Sequence, residues 1–256
     1  MDLRRTFDRE ALLYNKARPH YPAELFDRMI EVTGIQPGDN LLEIGPGTGQ
    51  ATAPLLERGF HIVGVELGEH LADVARHELR HYPNVEIRVG GFEDAEFDPH
   101  SFRMIFSATA FHWIKPEVKY AKTHELLIPG GHLAIIHTNH ISDQKGDRYH
   151  ERSQAIYNRY WPPGKDPHHL PVPNDIKPPE FDEKLFDLIH FQVFPLTIRY
   201  SAEQYTELLD TYSPTLSLPE PERTKFLGEI KRLIDDEFDG YHVKHFAMSL
   251  AILQAK

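Results

Sequence analysis

Eight consecutive residues restrict the fold of this chain more than any other feature: Glu43-Ile44-Gly45-Pro46-Gly47-Thr48-Gly49-Gln50. They follow a short apolar run at 40–44 and precede a helix-forming segment through Leu55, Leu56 and Glu57, which Gly59 closes. In a parallel sheet, a passage from strand through glycines to helix brings backbone N–H groups and a helix N-terminus up to a ligand. The spacing is GxGxG, whereas dinucleotide folds carry GxGxxG, and no Lys-Ser/Thr pair follows as it would in a P-loop. The stretch reads as a nucleotide-type site of another kind, although an ordinary glycine-rich turn would also account for it taken alone.

Around this loop, apolar runs of strand length alternate with amphipathic segments of helix length, the pattern of an α/β sheet with crossover helices. The spacing predicts strands at 61–65, 85–89, 102–108 and 132–137, and helices at 69–80 and 116–127. The Pro129-Gly130-Gly131 turn precedes the strand at 132. Residues 139–180 shift in composition and carry seven prolines between Trp161 and Pro179, which predicts an inserted loop or lid. Residues 181–256 then complete the sheet with strands at 191–200 and 242–253, and helices at 202–210 and 221–236 form a helical cap. The expected fold is a Rossmann-like, seven-stranded, mostly parallel sheet with its last strand antiparallel and helices on both faces. Residues 1–138 would hold the ligand-binding core and an N-terminal cover segment.

Composition narrows the chemistry. The 256 residues include no cysteine, which excludes disulfides, thiolate metal sites, iron–sulfur clusters and cysteine nucleophiles. With 28 basic and 39 acidic residues the net charge is −11, which opposes tight binding to a phosphate backbone and favours a small-molecule partner over nucleic acid. A basic groove assembled in three dimensions stays open on this count. The longest apolar stretch, at 246–253, falls far short of the ~20 residues a bilayer span needs. The N-terminal residues carry no secretory pattern, so the expected location is the cytoplasm and no membrane partner is expected.

Two further features lie at successive predicted strand ends. Glu66, 17 residues beyond Gly49, is placed where a carboxylate accepts both hydroxyls of a ribose. Phe92-Glu93, just past the third strand, can meet an adenine with a backbone N–H for a ring nitrogen and a carboxylate for the exocyclic amine.

Together with Gly91-Phe92-Glu93, Ser107-Ala108-Thr109-Ala110-Phe111-His112-Trp113 and Leu127-Ile128-Pro129-Gly130-Gly131, these motifs resemble those of class I S-adenosylmethionine-dependent methyltransferases. The Ala110–Trp113 segment, Tyr14-Asn15-Lys16-Ala17-Arg18-Pro19-His20-Tyr21-Pro22 and Thr211-Tyr212-Ser213 are similar to the trans-aconitate methyltransferase-like, methyltransferase type 11 branch, which acts on small molecules. The likeness is strongest up to about residue 138. It implies S-adenosylmethionine as cofactor and S-adenosylhomocysteine as product. It implies that Gly45, Gly47 and Gly49 admit the methionine part, with Glu43 anchoring the loop or the amino group. Glu66 would hold the ribose, Leu67 would pack on the adenine, and Phe92 and Glu93 would read its edge. The backbone near Ser107 and Ala108 would meet the methionine amino group. Tyr14 and Arg18 would cover the cofactor, with Arg18 paired to a carboxylate of cofactor or substrate. Arg103 departs from the family pattern, which carries an aspartate there.

At the acceptor end, His112 and Trp113 follow the fourth strand. His112 can take a proton from a hydroxyl or amine, or orient a carboxylate, or simply shape the cavity. Tyr21, Tyr157 and Trp161 are further candidates for substrate contact, with Tyr160 beside them in the insertion. The implied reaction is methyl transfer, preferentially to oxygen, with no metal required; the alternative is a protein that binds the cofactor without turnover. The stretch His77-Glu78-Leu79-Arg80-His81 matches the HExxH zinc pattern. Leu71, Val74, Ala75 and Leu79 define the apolar side of that helix, so both histidines are expected to face solvent. His168-His169 is likewise expected in a solvated loop rather than at a metal.

Overall fold

In the computed structural model the described residues are 11–142, 148–161 and 170–256. The elements run α1 (Ala11–Ala17), α2 (Ala23–Thr33), β1 (Asn40–Ile44), α3 (Thr52–Leu56), β2 (His61–Glu66), α4 (Glu69–Glu78), β3 (Val85–Val89), β4 (Phe102–Ala108), α5 (Pro116–Leu126) and β5 (Leu127–Ile141). They continue with α6 (Arg148–Tyr160), β6 (Phe186–Ser201), α7 (Ala202–Asp210), α8 (Ser213–Leu216), α9 (Glu220–Glu237) and β7 (Tyr241–Ala255). The chain divides into two compact units, one of Met1–Pro19, Asn139–Ile176 and Pro195–Ala247, the other of His20–Thr138, Lys177–Phe194 and Met248–Lys256.

The seven strands form one sheet, in the order β3-β2-β1-β4-β5-β7-β6. Strands β3, β2, β1, β4 and β5 are mutually parallel, in register from Leu41↔Ile62 and Leu41↔Met104 onward. β7 runs against β5: Gly130 lies beside Gln254, whereas Ser249 reaches the His137 carbonyl. Chain order reverses between β1 and β4, and at such a switch point the carboxyl ends of parallel strands open a crevice for a ligand. Strands buried on both faces read as near-continuous apolar runs, and Leu41, Leu42, Met104, Ile105, Phe106, Leu133 and Ala134 are all fully enclosed. Helix α2 buries Leu25, Phe26, Met29 and Thr33, a stripe at helical spacing. Gly34 ends it in the left-handed conformation, its N–H bonded to the Ile30 carbonyl.

The Pro129-Gly130-Gly131 segment, expected as a turn, is taken into β5. The β4–β5 register steps from Phe102↔Leu127 to Met104↔His132, so the extra residues bulge out of the ladder without ending the strand. Gly131 permits this, because a Cβ there would lie 2.9 Å from the Ile128 carbonyl oxygen.

The first unit has its own core, built by Tyr149, Ile156, Tyr205, Leu208, Phe226, Ile230, Ile234 and Phe246. Helix α6 corrects the expectation of a loop throughout 139–180. Its 13 residues contain neither proline nor glycine, and Tyr149, Ser153 and Ile156 bury one side of it. Ser201 caps α7, accepting from the Gln204 N–H at 3.2 Å while the Gln204 side chain accepts from the Ser201 N–H at 2.9 Å. No helix among the described residues is long and apolar enough to cross a membrane.

Candidate functional site

The glycine turn is built at the end of β1, and its backbone explains its sequence. Gly45 has φ +70, and a Cβ on it would stand 2.5 Å from the Ala110 Cβ. Only glycine satisfies both the left-handed backbone and that close approach. The Gly45 N–H donates to the Val65 carbonyl at 2.9 Å, and the Gly49 N–H to the Pro46 carbonyl at 2.9 Å, which pins the turn to β2 and closes it on itself.

Glu66, at the end of β2, joins the turn to the next helix. Its carboxylate accepts from the Gly47 N–H at 2.8 Å and from the Gly68 N–H at 2.9 Å. A carboxylate oxygen can accept more than one hydrogen bond, the chemistry that ligand hydroxyls need. Glu43 is fully buried on β1, with the Thr52 hydroxyl donating to Oε2 at 2.5 Å and Oε1 enclosed without a partner. Burial pushes its carboxyl up to about 8; the Thr52 hydrogen bond opposes this, and the Glu66 charge adds to it. An enclosed carboxyl with one unanswered oxygen, beside a turn where a side chain would collide, suits a ligand that brings a cationic donor. The residues present thus fit S-adenosylmethionine, with Glu43 able to meet its ammonium group and Glu66 its ribose.

Leu67 is half-buried near Gly91. Phe92 is packed into the core with Ile44, Val65 and Phe111, so its backbone, rather than its ring, is what it can offer a ligand. Glu93 is half-buried, and its main-chain carbonyl accepts from Lys122 Nζ at 3.1 Å. The Ser107 hydroxyl donates to the Ile44 carbonyl at 2.8 Å, tying β4 to β1, and Ala108 ends β4 half-buried.

Past β4 the structure assembles residues that sequence reasoning left without a role. Thr109 has φ +58, a strained conformation for a β-branched residue. It is held there by its N–H on the Ile136 carbonyl at 2.8 Å and by hydroxyl contacts of 3.2 Å to both Tyr21 Oη and Thr138 Oγ1. A short 3-10 turn, Phe111–Trp113, follows. In it, the His112 ring lies 4.8 Å from Trp113 and 5.6 Å from His137, centroid to centroid, the two imidazoles nearly perpendicular at 86°. His112 is held below its ordinary value by loss of water, then by His137 and Lys119; His137 is lowered by loss of water. Tyr21, His112 and Trp113 therefore belong to one unit with the glycine turn.

The other candidates lie in the first unit. Arg18 donates from Nε to the Thr211 hydroxyl at 2.9 Å and from Nη2 to the Thr211 carbonyl at 2.8 Å. Its guanidinium stacks on Tyr14 at 4.8 Å and on Tyr212 at 4.3 Å. This joins the N-terminal motif to the Thr211-Tyr212-Ser213 motif and gives Arg18 a packing role. Tyr157 and Trp161 lie 5.9 Å apart and share Phe226 as a ring neighbour, with Tyr160 against the same ring. Helix α4 ends at Glu78, so His77 and His81 do not share a helical face, and both are exposed. His168 and His169 lie outside the described residues.

A parallel sheet with a glycine turn and an acidic strand end at its switch point defines an adenosine-cofactor enzyme of Rossmann-like architecture. Residues 42–135, which include that turn and both acidic strand ends, match the family model of a methyltransferase domain. An uncharacterized methyltransferase of Mycobacterium bovis is 25% identical over 91% of this chain and 87% of its own. A ribosomal RNA small subunit methyltransferase A of Thermotoga petrophila is 39% identical over 28% of each chain. A solved structure described as a type II methyltransferase of Anaeromyxobacter dehalogenans shares the fold, with TM-score 0.60, 22% identity and 93% and 97% coverage of the two chains. The chain carries a methyltransferase domain on a Rossmann-like sheet and is an S-adenosylmethionine-dependent methyltransferase.

Proposed function

We propose that this methyltransferase acts on a small molecule and that the atom methylated is an oxygen. The observation that carries the reading is the set of groups in the unit of the glycine turn: Thr109 and the His112 imidazole just past β4, the Thr138 hydroxyl on β5, and the Tyr21 hydroxyl that meets Thr109. These can orient an oxygen acceptor and take a proton from it. When bound, S-adenosylmethionine supplies an electrophilic methyl group, whose carbon–sulfur bond breaks with its electron pair staying on sulfur as the bond to the acceptor oxygen forms. In this reading Glu66 holds the ribose, Glu43 meets the ammonium group, and Gly45, Gly47 and Gly49 give the cofactor room. Leu67, Phe92, Glu93, Ser107 and Ala108 border the adenosine and methionine parts. The ribosomal RNA relative matches over 28% of this chain only, and the net charge of −11 weighs against a polynucleotide acceptor.

Incubation with methyl-labelled S-adenosylmethionine and a low-molecular-mass extract is expected to yield a labelled small product; label found only in RNA or protein would overturn the reading. Titration calorimetry with S-adenosylhomocysteine tests the cofactor site independently. Glu66→Ala is expected to lower affinity by about ten- to 150-fold, the loss of roughly 1.5–3 kcal/mol of charged hydrogen bonding. Equal affinity would remove Glu66 from this role, and tight binding with no product from any extract would favour a non-catalytic binding protein.

A further inference from the structure

We propose that His137 joins His112 as a two-imidazole proton acceptor, and that the acceptor group it serves is a hydroxyl. The inference rests on the oxygen-methylation reading above and narrows it. The parallel β4–β5 register pairs Ala108 with Ile136, so the residues that follow, Thr109 and His137, stand at the same level of the sheet. The Phe111–Trp113 turn then folds His112 back until its ring meets the His137 ring edge to face at 5.6 Å. The Thr109 hydroxyl, in contact with both Tyr21 and Thr138, fixes the backbone from which the Phe111–Trp113 turn departs.

Partial loss of water lowers both imidazoles, and His137 and Lys119, cationic when protonated, lower His112 further; both rings remain exposed at their outer edges. All of these effects favour the neutral ring, the form that can accept a proton. A proton on either ring opposes a second on the other, so the two titrations are coupled. A hydroxyl acceptor must shed its proton as the oxygen–carbon bond forms. That proton passes to one imidazole nitrogen, and the resulting imidazolium returns it to water before the next turnover. An ionised carboxylate would shed none and would have no use for the pair.

The test is the proton titration of the two rings, followed by NMR of histidine-labelled protein without any substrate. His137→Gln is expected to raise the His112 midpoint by about half a pH unit or more, as removal of a neighbouring charge at this separation should. His112→Gln is expected to raise the His137 midpoint in return, so the coupling can be read from either side if one variant folds poorly. Midpoints that do not move in either variant overturn the pairing. Carbethoxylation of His112 by diethyl pyrocarbonate gives a second readout, with its pH profile moving to higher pH in His137→Gln; an unshifted profile overturns the pairing as well. A methyl product that hydroxide cleaves as an ester would overturn the hydroxyl assignment while leaving methyl transfer to oxygen standing. Loss of S-adenosylhomocysteine binding would sink the broader reading without touching the imidazole coupling.

Discussion

Glu43 sits in an environment far from what a carboxylate prefers. A carboxyl held at about 8 in the folded protein, against 4.5 in an open chain, keeps its proton where the unfolded chain has already lost one. Stability contributed by this group is therefore fully present below about 4.5 and falls as pH rises toward 8, by up to roughly 1.4 kcal/mol per pH unit. Glu43→Gln keeps an acceptor for the Thr52 hydroxyl and removes the titration, so the variant is expected to show a flatter dependence of stability on pH over that interval. Urea denaturation at a series of pH values measures it, and parallel curves for the two proteins would mean that the carboxyl is not protonated in the fold. The sequence marked Glu43 as a member of the glycine motif. Its one unpartnered oxygen became visible only once Thr52, nine residues on, was seen to occupy the other.

At the scale of elements, the turn after β1 and the turn after β4 interlock. The Gly45 backbone and the Ala110 Cβ leave no space for a further carbon. Gly45→Ala is expected to lower stability by about 2–4 kcal/mol, combining left-handed strain of about 1–2 kcal/mol with the steric clash. Adding Ala110→Gly should return the steric part and leave the strain. Thermal melts of the single and double variants read this coupling directly, and purely additive effects would show that the two turns do not touch. Elements defined by their own pattern were legible in the sequence: β1 spans Asn40–Ile44 and α7 spans Ala202–Asp210, as the spacing predicts. Helix α2 carries its stripe in the sequence at Leu25, Phe26, Met29 and Thr33, although the strand–helix alternation is read only from residue 40 onward, whereas α6 escaped because its apolar positions are sparse among charges: Tyr149, Ser153 and Ile156 form a stripe only once they are packed.

For the whole molecule, the excess of acid over base sets what it can approach. At about 150 mM salt, fluorescence anisotropy with a labelled 20-nucleotide RNA is expected to show no saturation, corresponding to a dissociation constant weaker than roughly 10⁻⁴ M. Saturable, salt-dependent binding at micromolar protein would reverse that expectation and point to a basic groove. By itself the sequence determined the sheet architecture, the glycine turn and the two acidic strand ends. Left-handed turns favour glycine, and strand–turn–helix units are written in contiguous residues, so these requirements leave a local imprint. Only the tertiary structure decided which side chains meet: Tyr21 with Thr109 across 88 residues, Arg18 with Thr211 across 193, and His112 with His137. Those meetings depend on strand register and on the path of turns between distant segments, and side chains that can hydrogen-bond or stack anywhere carry no sequence mark of the partner they find.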